Sequence, residues 1–175
     1  MSYIKVEEPL NRIEIEDILI DFVQGITNLP ENAVRPAHQL IHPTFNQGDN
    51  ICVFNITDER HKGMWRPVKE TISQRTELYV RFHFYGNESY RFAKEFLYGI
   101  LIEQNARELW LKGIAYMSHE NVIEIPENIN EIEVMRHDVL VRFSVARNFK
   151  IEGTNYFSDI PNVKIYGGRN NGIRY

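Results

Sequence analysis

The sequence predicts an α+β fold in which a mixed, mainly antiparallel sheet is covered on one face by two helices. Two long stretches, Thr76 to Tyr85 and Asp138 to Phe149, alternate apolar and other residues almost without a break. This two-residue period is typical of a strand with one face on a core, and a helix-like segment lies between the two strands. The predicted core rows are Leu78, Val80, Phe82 and Phe84 in the first strand and Val139, Val141, Phe143, Val145 and Phe149 in the second.

A first helix is predicted over about Ile13 to Thr27, where apolar residues recur at three- and four-residue steps. Asn28 can close this helix, and Pro30 prevents its continuation. A polar connection follows, with a short strand at Ala33 to Arg35. The next strand, Asn50 to Thr57, is apolar on both faces, which suggests a central position in the sheet or a covered outer face.

The segment Asp58 to Glu70 interrupts the strand pattern with seven charged residues, a glycine and a proline. It is predicted to be a long hairpin loop between two antiparallel strands. Met64, Trp65 and Arg66 allow two interpretations: a solvated loop whose tryptophan packs back on the sheet, or a protein interface, since Trp and Arg dominate binding hot spots. We take these three residues as the candidate protein interface.

A second helix is predicted from the turn at Gly86 and an N-cap at Asn87 to about Gln104. Its outer face carries Tyr90, Lys94 and Tyr98 at four-residue steps, either as a partly buried flank or as a binding stripe. The remaining elements are a helical turn at Ala106 to Leu111, strands at Ile114 to Met117 and Val122 to Ile125, turn residues Pro126 to Asn128, and a possible strand at Asn162 to Tyr166.

Length and composition predict one domain over residues 1–150 and a C-terminal extension, residues 151–175, that is mobile or ordered by a neighbouring subunit. A chain of 175 residues can bury a sizeable core, and 43% hydrophobic with 25% charged residues excludes general disorder. Cys52 is the only cysteine, so no internal disulfide can form and a reducing compartment is expected. Neither a signal peptide nor a membrane span is expected from the apolar pattern.

Charge is distributed unevenly along the chain. Residues 1–31 hold seven acidic groups against Lys5 and Arg12, giving −5, so the remainder sums to +1 of the total of −4. This is too little positive charge for a duplex-binding protein. A second acidic stretch, Glu120 to Asp138, is either a solvated face or a surface that repels nucleic acid. Its candidate residues are Glu124, Glu127, Glu131 and Glu133.

Residues that carry catalysis or bind cofactors do not stand out. His38 and His42 lie four apart, but prolines bracket them and no HExxH pattern exists, so no metal is expected. Cys52 lies within an apolar strand and is expected to be a small buried residue without reactivity. Phosphate-binding glycine loops and nucleophile elbows are absent from the sequence. We therefore expect a protein that is not an enzyme and has no catalytic residues, cofactor or metal.

The order of elements over about residues 13–150 resembles the neck or tail terminator proteins of tailed bacteriophages. Three motifs carry the resemblance: AsnAlaValArgPro at Asn32 to Pro36 leading into the strand NICVFNIT, ArgPheHisPheTyrGly at Arg81 to Gly86 leading directly into a helix, and ArgHisAspValLeuValArgPhe at Arg136 to Phe143. The charged segment Asp58 to Glu70 and the glycine-rich end depart from the family pattern.

The resemblance implies a structural virion protein of the tail or neck, assembled in the host cytoplasm. Such a protein forms a ring, usually a homo-hexamer, that caps the tail tube protein and joins it to head-completion or connector proteins, while DNA passes through without specific binding. No membrane partner is implied. Two other classes remain open: another tail or baseplate subunit, which would form extended polymers, and a small-ligand protein or enzyme, which would need a deep polar pocket.

Overall fold

A computed structural model describes residues 6–7, 11–30, 32–39, 49–68, 71–129 and 132–151. In this part of the chain three helices and seven strands form one α+β unit, as predicted. The helices are α1 (Arg12–Thr27), α2 (Ser89–Ile100) and α3 (Glu103–Leu111). The strands are β1 (Val6–Glu7), β2 (Val34–Pro36), β3 (Ile51–Val68), β4 (Thr71–Tyr85), β5 (Ile114–His119), β6 (Ile123–Ile129) and β7 (Ile132–Ile151).

Three long strands, β3, β4 and β7, form the centre of the sheet. The order is β1-β7-β4-β3-β2, and β5 and β6 also pair with β7. All pairs are antiparallel except β2 with β3. The central register places Val80 opposite Val141 and Phe82 opposite Val139. The sheet is therefore mixed and mainly antiparallel, and β3 has the central position that its two apolar faces predict.

The core lies between the helices and one face of the sheet. The ring of Phe82 in β4 has its centroid 4.6 Å from that of Phe96 in α2 and 5.6 Å from that of Phe54 in β3. All three rings are fully buried, and burial of each contributes roughly 1.5–3 kcal/mol. The predicted core rows are confirmed, since Leu78, Val80, Phe82, Phe84, Val139, Val141, Phe143 and Val145 are all buried; the side chain of Phe149 lies outside the described residues.

The helices are stacked on this face in sequence order. Helix α2 packs on β4 and β7, and α1 packs on α2 and β2, with Phe22 edge-on to Phe96 at 6.4 Å between centroids. Helix α1 begins with a capping box, in which Asn11 Oδ1 accepts from the Glu14 amide and Glu14 accepts from the Asn11 amide. It ends where Asn28 takes a left-handed conformation with φ of 55°, as expected for an asparagine cap.

The predicted loop from Asp58 to Glu70 is wrong. Strand β3 continues to Val68 and β4 already begins at Thr71, so the two strands pair as a long antiparallel arm. Arg60 lies opposite Glu77 and Val68 opposite Thr71, with irregular register between Lys62 and Arg66. Backbone pairing does not depend on apolar side chains, and a charged strand can pair where both faces remain polar.

The second hairpin also differs from the prediction. Pro126, Glu127 and Asn128 are not turn residues but belong to β6, where Pro126 lies opposite Met135. Proline is tolerated there because β6 pairs on one side only in the described sheet, so no partner needs its missing amide.

Helix α2 is shorter than predicted and starts differently. It ends at Ile100, and α3 begins at Glu103, so the predicted extension to Gln104 is wrong. The N-cap is Glu88 rather than Asn87, and the Glu88 amide donates to Asn50 Oδ1 at 3.0 Å. This contact from the residue just before β3 takes the place of the local cap that the sequence predicted. The predicted strand at Asn162 to Tyr166 and the rest of the extension lie outside the described residues.

Candidate interaction surfaces

The face of the sheet opposite the helices, here called the open face, carries the polar side chains that alternate with the core rows. A buried ion-pair network lies at one end of it. Asp138 of β7 is 3% exposed, and its Oδ1 lies 2.8 Å from both His83 Nδ1 and Arg136 Nε. Arg136 also binds Glu127 of β6 at 2.7 Å, and the hydroxyl of Tyr85 donates to Glu127 at 3.1 Å. This network links β4, β6 and β7.

The network shifts the pKa values of three of its members. Against the effect of burial, its hydrogen bonds and carboxylates raise the pKa of Arg136. Burial alone would raise the pKa of Asp138, but the hydrogen bond from His83 and the charge of Arg136 outweigh it and hold that pKa below its usual range. Burial raises the pKa of the Tyr85 hydroxyl, against the opposing effect of Arg136. The Asp138 carboxylate is thus ionised near neutral pH, where its contact with His83 joins β7 to β4.

Cations exceed carboxylates on the rest of the open face. The carboxylates that the three long strands place on the open face are paired: Asp58 with Arg60 at 2.6 Å, Glu77 with Lys62 at 3.8 Å, and Asp138 as above. The described open face also holds three arginines without a carboxylate partner, which are Arg75, Arg81 and Arg142.

These three arginines are held differently. Arg75 donates to Ser144 Oγ at 2.8 Å and contacts Met117 Sδ. Arg81 makes no ion pair with a described residue, and the buried Nε of Arg142 has no hydrogen-bond partner among them. Arg81 lies opposite Leu140, two positions from Arg142, so the two arginines are diagonal neighbours on the sheet. The open face is therefore locally positive.

The opposite side of the molecule is negative along α1. Glu14, Asp17 and Asp21 are exposed on the outer side of the helix, while Glu16 is buried and pairs with Arg12 at 2.9 Å. Asp21 lies 3.4 Å from Lys112 at the end of α3, and this pair is exposed. A surface ion pair of this kind contributes little, so the row remains strongly negative.

A groove of about 220 Å³ separates α1 from α3 beside this row. Its walls include Phe22, Ile26 and Leu109, and the carboxylates of Asp21 and Glu108 lie at it as well. The groove is partly open to solvent, and polar groups of Asn105 and Lys112 line it beside the two carboxylates.

The outer face of α2 carries an exposed aromatic stripe. Tyr90 and Tyr98 are 56% and 65% exposed, and the Lys94 ammonium lies 5.6 Å and 6.0 Å from their ring centroids. Beyond the stripe, Leu101 and Ile102 are also exposed at the turn into α3. The stripe is thus not a buried flank, and contiguous exposed apolar groups of this kind mark protein contact surfaces.

The predicted interface residues Met64, Trp65 and Arg66 belong to β3, within the arm. Arg66 pairs with Ser73 of β4, and the register shifts between Lys62 and Arg66. The backbone therefore bulges at Met64 and Trp65, a feature that redirects side chains at sheet edges. Their side chains are not among those described, so their role as an interface stays a prediction.

The predicted acidic residues do not share one face. In antiparallel pairs, residues directly opposite each other project to the same side. Glu124 lies opposite His137, and His137 lies opposite the core residue Phe84, which places Glu124 on the helix side. Glu133 shares that side, whereas Glu127 lies on the open face with Arg136. Glu131 lies outside the described residues.

The other residues that the sequence offered for chemistry, Cys52 and His38, lie in places that indicate a structural role. Cys52 is fully buried, and burial raises the pKa of its thiol well above the usual value, so the thiolate is disfavoured. His38 Nε2 lies 3.5 Å from Glu16 Oε2 at the α1 surface. Among the described residues no group of three His, Cys, Asp or Glu side chains could hold a metal ion. None of the described helices is both long and apolar enough to cross a membrane.

Sequence reasoning placed Arg81 and Arg142 on the outer sides of their strands but did not bring them together. Their pairing depends on the register of β4 against β7, which joins residues about 60 positions apart in sequence. The strand period gives the face of each residue but not this register.

Comparison with known proteins identifies the family. A family model described as phage neck terminator protein matches residues 14–172. No curated protein matches the chain. The matched range takes in all three helices and every strand except β1. The chain therefore belongs to the phage neck terminator protein family.

Proposed function

We propose that this protein forms a closed ring, of six copies, on the last ring of the phage tail tube. There it stops growth of the tube and offers a surface to the head-completion or connector proteins. The observation that carries the proposal is membership of the neck terminator family, a structural family of the phage neck. Assembly takes place in the host cytoplasm, and the ring becomes part of the virion.

The geometry supports an assembly role in two ways. The open face and the α2 stripe are large exposed surfaces made of arginine, tyrosine and lysine side chains, and arginine and tyrosine are enriched at protein interfaces. The titratable cluster at Asp138 is held in ion pairs, and the groove beside α1 is partly open to solvent. The function supported best is therefore one of shape and contact.

Purified protein should be examined alone and together with isolated tail tubes. Chromatography with light scattering should give the mass of a closed oligomer, and negative-stain images should show rings, either free or on tube ends. A strict monomer that neither forms rings nor caps tubes would refute the proposal. Extended polymers would instead indicate a tube-like subunit, because head-to-tail contacts that do not close produce filaments.

A further inference from the structure

Opposite charges lie on opposite sides of this subunit. The open face carries Arg81 and Arg142 without carboxylate partners in the described residues, and α1 on the helix side carries exposed Asp17 and Asp21. Each of these groups gains little from its own subunit. A second copy could supply carboxylates for the two arginines and cations for Asp17 and for Asp21, whose own ion pair with Lys112 is exposed.

We propose that α1 of one copy docks on the open face of the next copy, with Asp17 and Asp21 against Arg81 and Arg142. This inference rests on the proposed ring and adds the surfaces that close it. Because the two surfaces differ and lie on opposite sides of the sheet, the contact is heterologous and runs head to tail. Such a contact uses one donor and one acceptor surface in every subunit.

The spacing of the two charge pairs is compatible. Asp17 and Asp21 are four residues apart, so they lie on the same side of α1 and about 6 Å apart along its axis. Arg81 and Arg142 are diagonal neighbours across β4 and β7, with Cβ atoms roughly 7 Å apart. The distance between the two aspartates is thus close to the distance between the two arginines.

The surroundings of both pairs favour a protein partner. Tyr79 lies directly opposite Arg142 and two positions from Arg81, and its ring is covered by Arg60 at 4.7 Å. Ile13, on the same helix as the acidic row, is 66% exposed. An aromatic and an aliphatic side chain beside the charges provide apolar area that an ion pair alone lacks.

The test is an exchange of charge between the two surfaces. One variant carries Arg81→Glu and Arg142→Glu, and the other carries Asp17→Lys and Asp21→Lys. Each variant alone brings like charges together at every contact, so the concentration needed for half-assembly should rise about tenfold or more. An equimolar mixture should assemble again, because alternating copies restore opposite charges at every contact. A chain with all four changes should assemble as well.

Matched controls reverse charge elsewhere. Arg107→Glu and Glu103→Lys, both in α3, change exposed residues outside both surfaces and should assemble like the wild type. Thermal melting of each variant checks that the fold is kept. If a variant fails to fold, the single changes Arg81→Glu and Asp17→Lys serve in its place, again alone and mixed.

The outcomes separate the interface from the ring. A wild type that never assembles overturns the ring and the interface together. A wild-type ring with both charge variants unaffected, or with no recovery on mixing, overturns this interface alone. A variant with Arg81→Glu and Arg142→Glu that assembles normally but loses retention of duplex DNA would assign the open face to DNA and would also overturn the interface.

Discussion

Two glycines in neighbouring helices should respond oppositely to the same substitution. Gly99 of α2 is buried, and a Cβ at this position would lie 2.3 Å from Cγ2 and 3.3 Å from Cβ of Ile26 in α1. Rotation of the Ile26 side chain cannot relieve the second contact, so α1 must shift. Gly25 of α1 is exposed, with nothing within 4 Å of an added Cβ.

The magnitude follows from two opposing effects. Alanine improves helix propensity over glycine by about 0.5–1 kcal/mol at either site, and overpacking a core typically costs 1–3 kcal/mol. Gly25→Ala should therefore raise the free energy of unfolding by about 0.5–1 kcal/mol. Gly99→Ala should lower it by up to about 2 kcal/mol, which corresponds to a melting temperature roughly 4–8 °C lower.

Urea denaturation of both variants, and of Gly99→Ala combined with Ile26→Ala, tests this reasoning. Ile26→Ala removes the Cγ atoms, which lie nearest to the new methyl group, so the double variant should lose less stability than the sum of the single changes. A Gly99→Ala protein as stable as Gly25→Ala would refute the close packing of α1 on α2. That packing matters for assembly because it positions the acidic row of α1.

Three further predictions concern the surfaces and the buried ion pairs. Trp65→Ala should weaken ring assembly by about 2 kcal/mol or more while the melting temperature stays unchanged. The control Trp110→Ala, at the other tryptophan, should leave assembly intact. If Trp65→Ala instead lowers the melting temperature and assembly is normal, Trp65 has a structural role. The double change Glu124→Lys with Glu133→Lys should slow DNA delivery from otherwise normal particles if these helix-side residues line the channel. The control Glu120→Lys should not slow it. Ejection at the original rate by the double variant would mean that Glu124 and Glu133 lie outside the channel. The folded state lowers the pKa of Asp138, so the stabilising contribution of this carboxylate is complete above the unfolded pKa of about 3.9 and is lost as pH falls below it. The stability lost in Asp138→Asn, measured by urea denaturation, should therefore be large at pH 7 and shrink below about pH 4. A loss of stability that does not depend on pH would contradict this.

The core of the sheet was predictable from sequence because each central strand lies between two different environments. In β4 the alternation of Leu78, Val80 and Phe82 with polar residues follows directly from helices on one face only. The closing of α1 at Asn28 was predictable for a similar reason, since the left-handed cap is a local property of that residue.

The arm and the edge were not predictable by the same reasoning. From Asp58 to Lys62 charged or polar residues lie on both faces of β3, so no alternation marks the strand. Backbone pairing with β4 holds it, together with polar contacts such as Lys62 with Glu77 and His61 with Thr76. From sequence alone Pro126 predicts a turn. In the described sheet it lies in a strand, where it is tolerated because β6 is paired on one side only. Strand limits outside the core depend on the partner strand, which local sequence does not contain.

The uneven charge of the chain has a structural cost that only association can offset. Within one subunit the acidic row of α1 repels itself, and the arginines at positions 81 and 142 lie close together without a described carboxylate partner. Exposed ion pairs inside the subunit are too weak to remove this repulsion. Contact between the two surfaces brings each charge to its opposite and excludes water from both, which strengthens their attraction. Since salt screens such attraction over about 8 Å at physiological ionic strength, a ring closed in this way should loosen as salt is raised before the fold itself is affected.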